Sequence, residues 1–264
     1  MKIAIVTGGT SGIGRETALA LQKRGCKVYI LSRHPAQLPG MTHLCCDVAD
    51  ERQVQEATER IWEKEGRIDI LVNNAGFGIS GAAEFTKNED AQRLLNVNLF
   101  GVVNGCKAVI PRMRQQGSGR IVNVSSFAAL TPIPFQSWYS VTKAAVSAYT
   151  AALRNEVAPF GITTCAVLPG DICTGFTAAR EKTAVGDEVY HGRIARSVAV
   201  MERDEQNGMQ PEKAGEFIAS AALRRRVKPE YVIGASYRAL SLLVRLLPCR
   251  LKSRIIGRMY AGGK

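Results

Sequence analysis

The chain has 264 residues, of which 46% are hydrophobic and 22% charged, a composition typical of a globular protein with room for one sizeable core. It holds seven cysteines, an odd number, and no C-x-x-C pair, which argues against a disulfide framework or a zinc site. We therefore expect reduced thiols, a cytoplasmic protein and no metal.

The formal net charge of +12 invites a nucleic-acid interpretation, but its distribution argues against one. Seven of the basic residues, from Arg238 to Lys264, lie in residues 235–264, which contain no Asp or Glu. The N-terminus runs straight into a glycine turn, so no signal-peptide core is expected, and no apolar run reaches the ~18 to 20 residues that a membrane span needs. We expect no nucleic-acid partner.

The first strand is predicted at residues 3–6, a short apolar run typical of a strand buried on both faces of a parallel sheet. A glycine-rich turn follows, and then a helix is predicted at 15–21. In such a unit backbone N–H groups and the helix N-terminus hold a pyrophosphate, and glycines let it approach closely. The spacing is G-x-x-x-G-x-G, and no G-K-[ST] supports a P-loop. The predicted cradle consists of Gly8, Thr10, Ser11, Gly12, Ile13 and Gly14; a turn without a ligand is the alternative.

The second strand, predicted at 27–31, ends in Ser32 and Arg33. In units that select NAD, an acidic residue near this position binds the ribose 2′-hydroxyl. This chain has no carboxylate there, and the planar guanidinium of Arg33 can bind a 2′-phosphate. The pair therefore favours NADP(H), with a solvated loop arginine as the alternative.

A third strand is predicted at 44–48, where Asp47 and Val48 stand at the carboxyl end. Asp47 can reach an adenine amino group or can cap the next helix, predicted at 54–65. A fourth strand at 68–72 runs into the turn Asn74-Ala75-Gly76. Beyond it, Asn98 lies in an apolar helix and needs a partner, either as a satisfied structural amide or as part of a proton path.

Tyr139 and Lys143 are four residues apart on a predicted helix, so their side chains share a face. An ammonium one turn away is expected to lower the phenol pKa from about 10 toward the working range. Ser126, just after a strand predicted at 121–124, can present a hydroxyl opposite the tyrosine. Such a pair also occurs on many exposed helices, so its interpretation depends on the other motifs. Further strands are predicted at 163–168 and around 231–233.

Together these motifs resemble those of the short-chain dehydrogenase/reductase family over roughly residues 3–235. The resemblance implies an α/β fold: a single doubly wound Rossmann domain, residues 1–235, whose parallel sheet has about seven strands with helices on both faces. It also implies that Tyr139 is the acid–base group, that Ser126 orients the substrate oxygen, and that Lys143 lowers the tyrosine pKa and binds the nicotinamide ribose. Asn98 would hold a water that links Lys143 to solvent. The implied cofactor contacts include the glycine turn, Ser32, Arg33, Asp47, Val48 and the turn Asn74-Ala75-Gly76. They also include Tyr139, Lys143, Pro169, Gly170, Ile172 and Thr174.

The substrate is expected to be a bulky hydrophobic alcohol or ketone, such as a hydroxysteroid, covered by residues 175–208. The aromatic residues that could line its pocket are Phe127, Phe135, Trp138, Phe176 and Tyr190. A 3-oxoacyl thioester reductase and a non-catalytic NADP(H)-sensing regulator are the alternatives. A serine hydrolase is disfavoured because the chain has no G-x-S-x-G elbow.

Residues 236–264 are predicted to form a basic amphipathic helical extension. Apolar residues recur there at helical spacing on both sides of Pro248. Two interpretations stay open: helices that lie on an anionic membrane surface or wall the substrate entrance, and helices packed on the body or on a second subunit. The family resemblance implies a homodimer or homotetramer.

Overall fold

The computed structural model describes residues 1–36 and 38–262, so Lys264 of the basic tail lies outside the described residues. Nine parallel-paired strands and ten α-helices alternate along this part of the chain. The strands are β1 (Lys2–Thr7), β2 (Cys26–Ser32), β3 (Thr42–Cys45), β4 (Ile70–Asn73), β5 (Ile79–Ser80), β6 (Gly119–Val124), β7 (Ile162–Leu168), β8 (Glu181–Lys182) and β9 (Glu230–Val232). The helices are α1 (Gly12–Lys23), α2 (Glu51–Glu65), α3 (Asn88–Leu95), α4 (Gly101–Gln116), α5 (Ser137–Val157), α6 (Phe176–Ala179), α7 (Arg193–Gln206), α8 (Pro211–Leu223), α9 (Ala235–Leu246) and α10 (Cys249–Ala261).

Seven of the strands form one parallel sheet in the order β3-β2-β1-β4-β6-β7-β9, which confirms the predicted doubly wound α/β fold. The strand order reverses between β1 and β4, so a crevice opens there at the carboxyl ends of the strands. The remaining strands, β5 and β8, pair with each other and tie the segment after β7 to the loop after β4.

The core lies on both faces of the sheet. In β1, Ala4 and Val6 pack on the side of α1 and α8, whereas Ile3 and Ile5 pack on the side of α2 and α4. Because side chains alternate along a strand, a strand covered by helices on both faces must be apolar throughout. This explains the short continuous apolar runs from which the strands were predicted.

Near the cleft, one helix begins and one strand ends at residues other than those predicted. Helix α1 begins at Gly12, three residues earlier than predicted, so the second half of the glycine turn forms its first turn. Strand β3 ends at Cys45, which leaves Asp47 and Val48 in the following loop. Both shifts are small, but both bring backbone N–H groups and side chains to the crevice.

The helical region from Asn88 to Gln116 is long and apolar enough to cross a membrane, contrary to the expectation that no segment would be. It joins α3 to α4 through a π-helical turn, Asn96–Phe100. Its buried side chains Leu94, Val102 and Met113 belong to the interior of the protein. Its apolar character therefore has an explanation in core packing, and we assign it no membrane role.

The tail helices pack on the body of the protein. Val244 of α9 joins a cluster with Phe127 and Leu168, and Ala261 of α10 joins another with Phe135 and Ile194. Arg193 Nε donates a hydrogen bond to the carbonyl oxygen of Ala261 at 2.8 Å.

Candidate active site

A cleft of about 860 Å³ opens at the carboxyl edge of the sheet. It brings together almost every residue predicted from the sequence. The predicted residues that line it are Gly8, Thr10, Ser11, Gly12, Ile13, Ser32, Arg33, Asp47, Val48, Asn74, Ala75, Gly76, Ser126, Tyr139, Lys143, Pro169, Gly170, Ile172 and Thr174. Gly14 and Asn98 do not line this cleft; Gly14 lies against Gly8 and Asn74, and Asn98 lies against Gly76.

The glycine turn is packed too tightly for side chains. Gly8 has a φ of +63°, and a Cβ atom there would lie 2.9 Å from the Cα of Ala75. A Cβ on Gly14 would collide with the carbonyl oxygen of Gly8. Ser11 precedes the first turn of α1, which carries no acidic side chain. The turn and the helix N-terminus therefore fit the pyrophosphate of a dinucleotide.

A basic side chain, that of Arg33, lies at the end of β2 and lines the cleft. Ser32 Oγ donates to the carbonyl oxygen of His34 at 3.0 Å and lies 2.8 Å from His43 Nε2, so it fixes the loop. Arg33 is exposed at the cleft and has no carboxylate partner among the ion pairs of residues 1–36 and 38–262. A guanidinium in this position fits a ribose 2′-phosphate.

Asp47 does not cap α2, which excludes one of its two predicted roles. The N-cap is Asp50, whose carboxylate accepts from the N–H groups of Arg52 and Gln53. Asp47 instead accepts from the N–H of Ala49 at 3.0 Å, and it lines the cleft. Its other predicted role, a contact with adenine, stays a prediction.

Ser126, Tyr139 and Lys143 meet where β6 ends and α5 begins. Tyr139 lies in the first turn of α5, and Lys143 lies in the next turn with its Nζ 5.7 Å from the centre of the tyrosine ring. Ser126 Oγ accepts from the N–H of Ala128 at 3.1 Å, which orients its hydroxyl. The three side chains line the cleft together.

The predicted lowering of the Tyr139 pKa by Lys143 does not hold in this structure. Burial raises the pKa of Tyr139 to about 12, and only the hydroxyl of Ser126 and the charge of Arg180 oppose that rise. Burial also lowers the pKa of Lys143 to about 8, because its ammonium is almost completely enclosed. With a pKa of about 8, Lys143 still carries its charge at pH 7 and loses it in mildly alkaline solution.

Asn98 lies in the π-helical turn and is completely buried. Its Oδ1 accepts from the N–H of Phe77 at 3.0 Å, and its Nδ2 donates to the Phe77 carbonyl oxygen at 2.9 Å and to Thr142 Oγ1 at 3.2 Å. Asn98 thus ties the loop after β4 to α5. Its side chain meets its hydrogen-bonding needs within the protein, as the structural interpretation predicted; the role in a proton path stays a prediction.

The five aromatic residues predicted for a substrate pocket separate into two groups. Phe127 and Phe176 line the cleft, and the ring of Phe176 lies 5.7 Å from that of Tyr139. Phe135, Trp138 and Tyr190 do not line it. Phe135 and Tyr190 instead pack edge to face 5.3 Å apart, and Phe135 holds an unusual φ of 61°.

Three acidic residues that line the cleft were not predicted from the sequence. Asp171, Asp204 and Glu205 all line it. Glu205 pairs with Arg180, whose side chain is fully buried, and also accepts from Thr177 Oγ1 at 2.7 Å. Asp171 accepts from the hydroxyl of Tyr237, and burial raises its pKa. No sequence pattern singles out these residues, because Asp204 and Glu205 lie in a helix rich in exposed charges.

Known proteins share both the sequence pattern and the fold. A family model described as short chain dehydrogenase matches residues 2–184. A 3-ketodihydrosphingosine reductase of Bacteroides thetaiotaomicron is 42% identical over 227 residues, which cover 85% of this chain and 84% of that protein.

Solved structures give the same result. A short-chain dehydrogenase of Streptomyces avermitilis superposes with a TM-score of 0.81 at 28% identity, covering 97% of this chain and 95% of the other. ElxO, solved with NADP bound, superposes with a TM-score of 0.74 at 28% identity, covering 90% of this chain and 99% of the other. The chain therefore belongs to the short-chain dehydrogenase/reductase family, whose members are oxidoreductases that act on carbonyl and alcohol groups.

Proposed function

We propose that the protein uses NADPH to reduce the ketone of a long-chain amino ketone of the 3-ketodihydrosphingosine type. The observation that carries this proposal is that a single cleft joins the Ser126, Tyr139 and Lys143 wall to an apolar channel formed by the tail helices. The channel residues are Leu240, Leu243, Val244, Leu247, Ile255, Ile256 and Met259. An alkyl chain suits such a surface, because burying apolar area is favourable and needs no polar partner.

The cofactor preference follows from the unpaired cation at the end of β2. Arg33 would hold the 2′-phosphate, and the glycine turn before α1 would hold the pyrophosphate. When bound, NADPH supplies a hydride to the carbonyl carbon. The solved relative with NADP bound supports this preference.

The chain's own residues provide the proton and hold the oxygen. Ser126 and the Tyr139 hydroxyl would both hydrogen-bond the substrate carbonyl oxygen, and Tyr139 would transfer its proton as the alcohol forms. A raised phenol pKa keeps the donor protonated at neutral pH, which suits reduction. Lys143, one helical turn away, would hold the nicotinamide ribose and supply charge as the phenolate forms.

An amino group beside the ketone would find complementary charge. Asp171, Asp204 and Glu205 line the same cleft as Tyr139. An ammonium group is attracted to such carboxylates, especially where burial has reduced their contact with water. The similarity to the Bacteroides reductase supports the same substrate class. A hydroxysteroid has the apolar bulk but no cation for these carboxylates, so it stands second.

The test is NADPH oxidation by the purified protein with 3-ketodihydrosphingosine, its N-acetyl derivative, an oxo-steroid and an acetoacetyl thioester. The amino ketone should have the highest kcat/KM, and acetylation, which removes the charge, should lower it. Shortening the alkyl chain should reduce kcat/KM about fourfold per buried methylene, since each contributes about 0.8 kcal/mol. Turnover of the steroid or the thioester alone would contradict the proposal.

We further propose that the protein assembles as a homodimer or homotetramer through the helix faces beside the sheet. Phe100, next to α4, and Val141, on α5, are both exposed large hydrophobic residues. Such side chains at the surface are often covered in an assembly. Light scattering during size-exclusion chromatography measures the subunit number, and a monomer would contradict this expectation.

A further inference from the structure

We propose that the outer surface of α9 and α10 docks on an anionic lipid bilayer. This surface, called here the tail face, consists of Leu242, Leu246, Leu251, Ile255 and Met259 with the neighbouring arginines. The proposal goes beyond the proposed reaction and does not depend on which substrate is reduced.

Exposed apolar side chains are concentrated on the tail face. Within residues 1–36 and 38–262, seven of the thirteen exposed large hydrophobic residues lie between positions 240 and 259. Leu246 is 83% exposed, Leu242 65% and Met259 56%. A group of this kind is rare on a free surface and marks a site of contact with protein or membrane.

The exposure is not a consequence of detached helices. The opposite side of α9 is anchored through Val244, which packs with Phe127, and through Tyr237, whose ring lies 5.0 Å from that of Phe127. Helix α10 is anchored through buried Ala261. The tail helices therefore present a fixed outer face.

Basic residues flank the apolar ones in a regular order. Arg250, Arg254 and Arg258 are all exposed and lie four residues apart, so they form one stripe along α10. Leu251, Ile255 and Met259 form the next stripe. In the described part of the tail only Arg245 has a carboxylate partner, Glu230, and the sequence of the tail contains no Asp or Glu. An apolar stripe beside a basic stripe is the pattern of a helix that lies in a membrane interface.

The charge distinguishes a bilayer from a second copy of the chain. In a two-fold dimer the same surface meets itself, so the arginines of both subunits would enter one interface to which the tail brings no carboxylate. Like charges at such a contact are unfavourable, whereas anionic lipid headgroups neutralise them. We therefore assign the tail face to anionic lipid.

The tail face is continuous with the mouth of the cleft. Leu243, Ile255 and Met259 are exposed and also line the cleft. A hydrophobic ligand could pass from the bilayer into the cleft along these side chains without crossing water. This continuity gives the docking a consequence for catalysis.

The proposal is tested by flotation of the full-length protein with two kinds of vesicle, phosphatidylcholine alone and phosphatidylcholine mixed with phosphatidylglycerol. Wild type should float with the anionic vesicles only. The double variant Leu242→Ser with Leu246→Ser, and the triple variant Arg250→Gln, Arg254→Gln, Arg258→Gln, should each bind at least about tenfold more weakly, since binding depends on both apolar area and charge. The matched control is Phe160→Ser, which removes an exposed apolar residue just before β7, at the opposite end of the strands from the cleft, and should leave binding unchanged.

NADPH binding by each variant shows that it is folded. Flotation needs no turnover, so its failure is separate from a failure of the proposed reaction. Equal flotation of wild type and both tail variants would overturn the proposal. So would a dimeric wild type that does not float and that becomes monomeric in the leucine variant, because the tail face would then be a subunit interface.

Discussion

Lys143 Nζ donates a hydrogen bond to the main-chain carbonyl oxygen of Val124, 3.0 Å away at the end of β6. The ammonium is thereby held against the last strand residue before Ser125 and Ser126. Ser125 Oγ completes the link by donating to the Lys143 carbonyl oxygen at 2.7 Å. The end of β6 and the second turn of α5 thus form one rigid unit that fixes Lys143 relative to Ser126.

Burial of the Lys143 ammonium makes the stability of the protein depend on pH. The pKa of Lys143 is about 8 in the folded protein against 10.5 for a free side chain, so between these values the unfolded state binds more protons. The free-energy cost of burying the charged ammonium is fully present below pH 8 and is relieved as the pH rises toward 10.5. Relative to Lys143→Met, wild type should therefore gain up to about 3 kcal/mol of unfolding free energy over this window.

Urea unfolding of both proteins at pH 7, 8.5 and 10 measures the difference. Groups common to both proteins cancel in this comparison. Lys143→Met should also be the more stable of the two at pH 7. Parallel stability profiles would show that burial does not disfavour the ammonium.

Tyr139→Phe tests the assignment of the proton donor. The substitution removes only the hydroxyl and keeps the ring that packs 5.7 Å from Phe176. We expect turnover to fall by about 10²- to 10⁴-fold, the range for loss of a general acid, with NADPH affinity within about twofold of wild type. Steady-state kinetics and NADPH fluorescence titration measure the two quantities. Near-normal turnover would exclude Tyr139 as the donor.

Most of the fold and the cofactor side of the cleft could be predicted from the sequence. Strands buried on both faces leave continuous apolar runs, as in β1, and the tight turn at Gly8 requires glycine. Both features are local, so they are visible along the chain. Asp47 shows the limit even here, because Asp50 three residues later is the better-placed cap.

The substrate side could not be predicted in the same way, because distant segments build it. Glu205 in α7 meets Arg180, which lies between α6 and β8, only after the chain folds back on itself, and Asp171 meets Tyr237 across 66 residues. The pKa of Tyr139 likewise depends on how deeply the ring is buried. Spacing within a helix gives the neighbours of a residue but not its burial.

Arg33→Ala tests the basis of the cofactor preference. A charge-assisted hydrogen bond contributes about 1.5 to 3 kcal/mol, so loss of the guanidinium should raise KM for NADPH by roughly 10- to 100-fold. KM for NADH, which lacks the 2′-phosphate, should change little. Arg52→Ala is the control, since Arg52 is an exposed arginine on α2 that does not line the cleft. Equal effects on the two cofactors would show that Arg33 does not select between them.

Glu205→Gln tests the buried ion pair that holds the segment covering the cleft. Arg180 has a fully buried side chain, and its Nε and Nη1 atoms have no hydrogen-bond partner among the described residues, so Glu205 is its main compensation. Removal of one partner leaves a buried charge, which should lower the free energy of unfolding by about 3 to 5 kcal/mol. Glu56→Gln in the exposed Arg52–Glu56 pair should cost far less, because water screens charges at the surface.

The double variant Arg180→Met with Glu205→Leu separates charge from packing. It removes both charges and keeps apolar volume, so it should be more stable than Glu205→Gln alone. Urea unfolding of the three variants and wild type gives the comparison. If Glu205→Gln and Glu56→Gln cost the same, or if the double variant is the least stable, the pair contributes through its shape rather than through its charge.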